Sequence, residues 1–244
     1  MANFNTHMIT GAAICGTTGI IALSGGLADP KEVLLLFGVG SLGGILPDID
    51  SDNSVVIQFV FSALSVLGAF GTIFRMGIAF SVAELLLGGL AVFLMIYFGL
   101  APLFKAQTVH RGVFHSIPAA LLFGILTVTV FFHGYRTPAT LAWLGGIFMT
   151  TGYLTHLVLD EIYSVDLTNK RIKRSFGSAL KFFDRGNPLG SMLLYFFAFL
   201  LPAFLPGPDN LVHQLGQPEI RRNLEEKLFP EDRSWFIPPF REDR

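Results

Sequence analysis

Long stretches of this sequence carry almost no charged side chain, and their length constrains the fold more than any other feature. Met8–Leu27, Val33–Leu46, Val55–Phe74, Gly77–Ala101, Ile117–Phe132, Thr137–Leu159 and Leu189–Leu205 read as apolar segments broken by short polar clusters. Roughly 18 consecutive apolar residues suffice to cross a bilayer. A segment of that kind must satisfy its backbone polar groups internally, so it has to be helical. Hydrophobic residues make up 52% of the 244-residue chain and charged residues 14%, a balance that excludes an ordinary soluble domain. The fold class expected is therefore all-α: a polytopic membrane bundle of about seven transmembrane helices over residues 1–205. A polar tail, 206–244, follows, in which Ile220, Leu224 and Leu228 at helical spacing predict one short amphipathic helix. The net charge of -1 gives no case for nucleic-acid binding, which needs clustered positive charge, and the one basic run, Lys170–Arg174, fits membrane topology better. The single cysteine, Cys15, allows no internal disulfide and reads as a small packing residue. No Lys or Arg precedes Lys31, so the basic start of a cleavable signal peptide is missing and the first segment is expected to stay.

Local signals set the expected boundaries. Asn5 or Thr6 is placed to cap the first segment, which puts His7 at its mouth. The second segment is short and stops at Pro47, ahead of Asp48, Asp50 and Asp52. The third and fourth form a hairpin at Arg75-Met76, with Glu84 as a carboxylate near its end, within reach of water or Arg75. Ser116 caps the fifth, with Pro118 in its first turn. A loop over Asp160–Asn187 carries Lys170, Arg171, Lys173, Arg174, Lys181 and Arg185, which the positive-inside rule places in the cytoplasm. Counting spans back from that loop brings His7, the Asp48–Asp52 cluster and His110 to the cytoplasmic face.

The chemistry lies in those polar clusters. His156 and Asp160 are four apart and share one face of a continuous helix. His110 and His115, five apart, converge only if the chain bends at Gly112. Asp48, Asp50 and Asp52 repel one another in poorly solvated surroundings unless a cation or arginine neutralises them, and Asp52 is the one best read as part of a solvated turn. Imidazole with carboxylate favours zinc, manganese or iron, and the lack of paired cysteines argues against a structural zinc site. Next to such an ion Arg111 is suited to hold a phosphate or a developing oxyanion.

Leu46-Pro47-Asp48-Ile49-Asp50, His110-Arg111-Gly112-Val113-Phe114-His115-Ser116 and Gly152-Tyr153-Leu154-Thr155-His156 with Asp160 together resemble the YdjM-like family of bacterial and archaeal inner-membrane proteins. Its members are described as predicted membrane-bound metal-dependent hydrolases. The resemblance covers about Asn5 to Asp166 and implies His7, Asp48, Asp50, His110, His115, His156 and Asp160 as the shared polar set. Phe114 stands where the family often has Thr, which removes a hydroxyl and leaves the ligands in place.

The expected activity is hydrolysis of a lipid or other membrane-associated ester or phosphoester, using a divalent metal, zinc or manganese. Asp50 or Asp160 is expected as base, with Arg111 and His115 steadying the anionic transition state. Two other readings stay open: a metal-ion or metabolite transporter using the same ligands, and a non-catalytic protein whose polar cluster fixes helix packing. The expected location is the inner membrane, with the site on the cytoplasmic side.

Overall fold

A computed structural model of the protein describes residues 3–50, 54–102, 112–166, 171–172, 177 and 180–228; the side chains of residues 49 and 50 lie outside that description. The described chain is helical apart from a two-residue antiparallel ladder, β1 (Val165–Asp166) with β2 (Arg171–Ile172). Helix α1 covers Phe4–Gly25, α2 Pro30–Gly43, α3 Ser54–Met76 and α4 Val82–Leu94, which continues as a π-helical stretch to Leu100. After them come α5 (Ile117–Thr129, extended as a π-helical stretch to Gly134), α6 (Ala139–Ser164), α7 (Pro188–Leu200), α8 (Asp209–Leu215) and α9 (Pro218–Leu228).

Four of these are long and apolar enough to cross a membrane: Phe4–Gly25, Val82–Leu100, Ile117–Gly134 and Ala139–Ser164. A fifth counts if Pro188–Phe204 and Asp209–Leu215, bent by 85°, form one broken span. Among the described residues there are thus four or five candidate spans, fewer than the seven expected. Length is the reason: α2 has 14 residues and reaches about 21 Å at 1.5 Å per residue. Helix α3, with 23 residues, reaches about 34 Å at the same rise, and its stretch Val60–Met76 is apolar.

Several boundaries differ from expectation. Asn3, and neither Asn5 nor Thr6, caps α1, its Oδ1 accepting from Thr6 N at 2.8 Å. The α3–α4 turn falls at Gly77–Ser81 instead of Arg75-Met76, because Gly77 supplies a φ of 63° and Ser81 then caps α4. Glu84 closes that cap by accepting from Ser81 N at 2.7 Å, which accounts for a carboxylate at this depth. Arg75 donates to the Gly134 carbonyl, not to Glu84. Asp160 and Glu161 lie on α6, which continues to Ser164, and not in the following loop. Ser116 caps α5 with Pro118 in the first turn, as expected.

The helices α1, α2 and α6 meet backbone to backbone. A Cβ on Gly40 would lie 2.5 Å from Cys15 Sγ, and one on Gly152 would lie 1.9 Å from the Gly40 carbonyl oxygen. Gly11 and Gly44 also meet, less tightly, a Cβ on Gly11 lying 3.3 Å from Gly44 Cα. Small residues at helix crossings allow this, and dispersion across the contact takes over where lipid gives no hydrophobic drive. Cys15, fully buried, is a packing residue here. Helix α7 lies against α5: the Lys181 carbonyl accepts from Ile117 N at one end, and at the other His133 Nε2 donates to the Phe204 carbonyl at 2.8 Å. In the tail, α9 packs on the C-terminal end of α1, where Lys227 reaches the Ser24 carbonyl.

Candidate metal centre

Four helix ends meet at one end of the bundle. His7 sits in the first turn of α1, and Asp48 in the one-turn 3-10 segment Leu46–Asp50 that follows α2. His115 sits in the turn before α5, and His156 and Asp160 in the last part of α6. The antiparallel run of these helices makes the start of α1 and α5 coincide with the finish of α2 and α6. His7, His115, His156 and Asp160 are each at most 1% exposed, and the Asp48 side chain is 13% exposed.

Second contacts fix the rings. His156 Nδ1 lies 2.9 Å from the Gly44 carbonyl, an acceptor only, so Nδ1 carries the proton and Nε2 turns a lone pair into the cluster. The close crossing of α2 over Gly152 is what brings that carbonyl to the ring. The turn bearing His115 is held by Tyr153, whose hydroxyl donates to the Phe114 carbonyl, and by His115 N donating to Gly112. The ring of His7 stacks on His156 with centroids 3.7 Å apart and planes 13° from parallel.

Within this shell, imidazole nitrogens face carboxylate oxygens. His7 Nε2 is 3.2 Å from Asp160 Oδ1, and His156 Nε2 is 3.5 Å from Asp48 Oδ1. His115 Nε2 is 3.7 Å from Asp48 Oδ1 and 3.8 Å from Asp160 Oδ2. Two ligands each about 2.1 Å from one ion at a tetrahedral angle stand about 3.4 Å apart, so these separations suit edges of a coordination shell. Both ring nitrogens of His7, Nε2 of His156 and Oδ1 of Asp48 are buried with no hydrogen-bond partner among the described residues. Leaving such groups unsatisfied costs about 1–3 kcal/mol apiece, and a cation satisfies several together. Burial pushes the Asp48 carboxyl up, but the imidazoles of His115 and His156 outweigh it and hold the group well below the usual carboxylate range. Two triads in particular, His7 with His156 and Asp160, and Asp48 with His115 and His156, present ligand atoms within 4.8 Å of one another. A buried His/Asp group able to hold a metal ion is thus present.

Five of the residues singled out in the sequence, His7, Asp48, His115, His156 and Asp160, come together. His110, Arg111 and Asp52 lie outside the described residues, as does the side chain of Asp50, whose backbone is in the same one-turn segment as Asp48. The motif reading missed the Gly44 carbonyl and the Tyr153 hydroxyl. Tyr153 was visible as the one phenol inside the Gly152–His156 motif, but nothing in the sequence pairs it with Phe114.

No curated protein and no solved structure matches the chain. The family model described as YdjM inner membrane protein matches residues 1–168, which takes in α1 through α6 and all five converging residues. That match covers more than half of the sequence, and the chain is a membrane-embedded member of the YdjM inner membrane protein family.

Proposed function

We propose that this protein is a membrane-embedded metal-dependent hydrolase that cleaves an ester or phosphoester in a lipid or another membrane-associated molecule. The observation that carries the reading is the sealed convergence of three imidazoles and two carboxylates, from four separate helix ends, at spacings that suit a cation. Ionisable groups inside a membrane bundle are costly, and a structural role alone would be served by fewer of them. His7, Asp48, His115, His156 and Asp160 would hold a divalent ion, zinc or manganese by their mixed nitrogen and oxygen donors. Such an ion supplies Lewis acidity and lowers the pKa of coordinated water. With Asp160 and His115 committed to the ion, Asp50 is the carboxylate assigned to accept a proton and Arg111 the group assigned to steady the anionic oxygen.

An apolar cavity of about 280 Å³ between α5 and α6 supports a lipid substrate. It is a half-open groove lined by Leu121, Ile125, Val128, Trp143, Ile147 and Thr151. An acyl chain lying there would present its headgroup linkage to the polar cluster. The cytoplasmic assignment rests on Lys181, part of the basic segment, whose carbonyl accepts from Ile117 N beside the site.

The test is hydrolysis of a panel of lipid esters and phosphoesters in detergent micelles, where no ion gradient exists, with added zinc or manganese. Turnover that a chelator stops and metal restores, and that Asp160→Asn abolishes while the protein stays folded, is the expected result. No turnover of any substrate, together with gradient-driven metal uptake into proteoliposomes, would replace the enzyme by a transporter.

A further inference from the structure

Building on the metal-centre reading, we infer that the cluster holds two divalent ions, with the Asp160 carboxylate between them, and so selects an anionic phosphoester over a neutral ester. The stacking of His7 on His156 is the first reason. An imidazole binds metal along its Nε2 lone pair, in the plane of the ring. The two planes are 13° from parallel with centroids 3.7 Å apart. A single ion shared by both rings would sit out of each plane by about half that separation, which is nearly the whole of a metal–nitrogen bond of about 2.0–2.1 Å. Two ions, one in line with each ring, remove the conflict, and the ring spacing matches the roughly 3.5–4 Å between ions of two-metal sites.

The carboxylates divide in the same way. His7 faces Asp160 Oδ1 and His156 faces Asp48 Oδ1, so each stacked ring has its own carboxylate. His115 lies between Asp48 Oδ1 and the other Asp160 oxygen, Oδ2. Asp160 therefore offers Oδ1 on the His7 side and Oδ2 on the His115 side. His156 belongs to both triads, but its Nδ1–H is committed to the Gly44 carbonyl, and one remaining lone pair serves one ion. Its approach to Asp48 assigns it there. One ion then takes His7 and Asp160 Oδ1; the other takes Asp48, His115, His156 and Asp160 Oδ2. Four positive charges against the carboxylates Asp48 and Asp160, and Asp50 as the assigned base, still leave the loaded site cationic in a poorly solvated place. That excess is matched by a phosphoester anion and not by a neutral ester.

The experiment loads detergent-purified full-length protein with manganese, removes the excess, and measures manganese per chain by elemental analysis alongside the electron paramagnetic resonance spectrum. Two ions per chain with an exchange-coupled signal are expected. His7→Ala should keep one ion and show an uncoupled six-line signal, and Asp160→Asn should lose the coupling, since an amide offers one oxygen. If either variant does not fold, the wild-type stoichiometry and coupling decide alone. One ion per chain with an uncoupled signal overturns the two-ion centre and leaves the one-ion hydrolase standing, whereas no bound ion removes both. Inorganic phosphate is expected to perturb the coupled signal. A signal blind to phosphate overturns the preference for an anionic ester.

Discussion

Replacing Gly152 by alanine should dismantle the site without touching any of its ligands. The new Cβ would lie 1.9 Å from the Gly40 carbonyl oxygen, 2.9 Å from the Gly40 carbonyl carbon and 3.0 Å from Gly44 N, all backbone atoms that cannot rotate away. Ordinary contact begins at 3.4 Å, so α2 has to withdraw from α6 by about 1.5 Å. The 2.9 Å contact between His156 Nδ1 and the Gly44 carbonyl then opens beyond hydrogen-bond range, and Asp48, carried on the continuation of α2, moves away from His156. Metal ligands tolerate about 0.2 Å, and loss of an outer-shell partner alone weakens metal binding by about 10–100-fold. The overpacking itself costs about 1–3 kcal/mol. Thermal unfolding in detergent, with and without saturating manganese, reads both effects. The variant should melt earlier in the absence of metal and lose most of the metal-induced stabilisation, which is about 2.7 kcal/mol at a hundredfold excess over Kd. Gly38→Ala, on α2, is the control, because nothing lies within 4 Å of its added Cβ and an exposed helical glycine replaced by alanine is neutral or slightly stabilising. Wild-type stability and wild-type metal affinity in Gly152→Ala would refute the reasoning that α2–α6 contact sets the site.

Tyr153→Phe removes the hydrogen bond to the Phe114 carbonyl and should cost about 0.5–1.5 kcal/mol in unfolding, with weaker metal binding through the freed His115 turn. Metal affinity measured by titration should fall as pH drops, because protons and the ion compete for the same imidazole lone pairs while Asp48, held low, stays ionised; affinity independent of pH would remove the histidines from the ligand set. Leu121→Trp, projecting into the cavity between α5 and α6, should raise KM for long-chain substrates and leave water-soluble short-chain analogues unaffected; equal effects on both would detach the cavity from substrate binding. Reporter fusions after Arg185 and after Arg136 should report cytoplasm and exterior respectively, and the same side for both would undo the cytoplasmic placement of the site.

Much of the site was legible because short-range periodicity does not depend on tertiary detail. The four-residue interval of His156 and Asp160 fixes a common helix face, and Ser116 before Pro118 marks a helix start that places His115 next to it. What the sequence concealed was set by contacts distant along the chain. The Gly44 carbonyl reaches His156 only because Gly40 and Gly152 let two backbones touch, and a glycine alone does not announce its partner. Span number is less legible, because a run of apolar residues states composition and not height: α2 is as apolar as its neighbours yet only 14 residues long. The end of α6 was misplaced because Asp160 and Glu161 look like loop residues. In the fold Asp160 turns into the cluster and Glu161 accepts from Gly177 N, so both remain helical. Glu84, read from sequence as a carboxylate within reach of Arg75, is a cap residue, a role that needs Ser81 three positions earlier.

X-ray absorption at the zinc edge of zinc-loaded, detergent-purified protein tests the central claim most directly, because it counts the ligands themselves. The account predicts a shell of nitrogen and oxygen at roughly 2.0–2.2 Å with no sulfur and with strong outer-shell imidazole scattering, weakened in His115→Ala. A spectrum of oxygen ligands without imidazole scattering, unchanged by His115→Ala, would show zinc bound elsewhere and contradict a metal centre built from His7, Asp48, His115, His156 and Asp160.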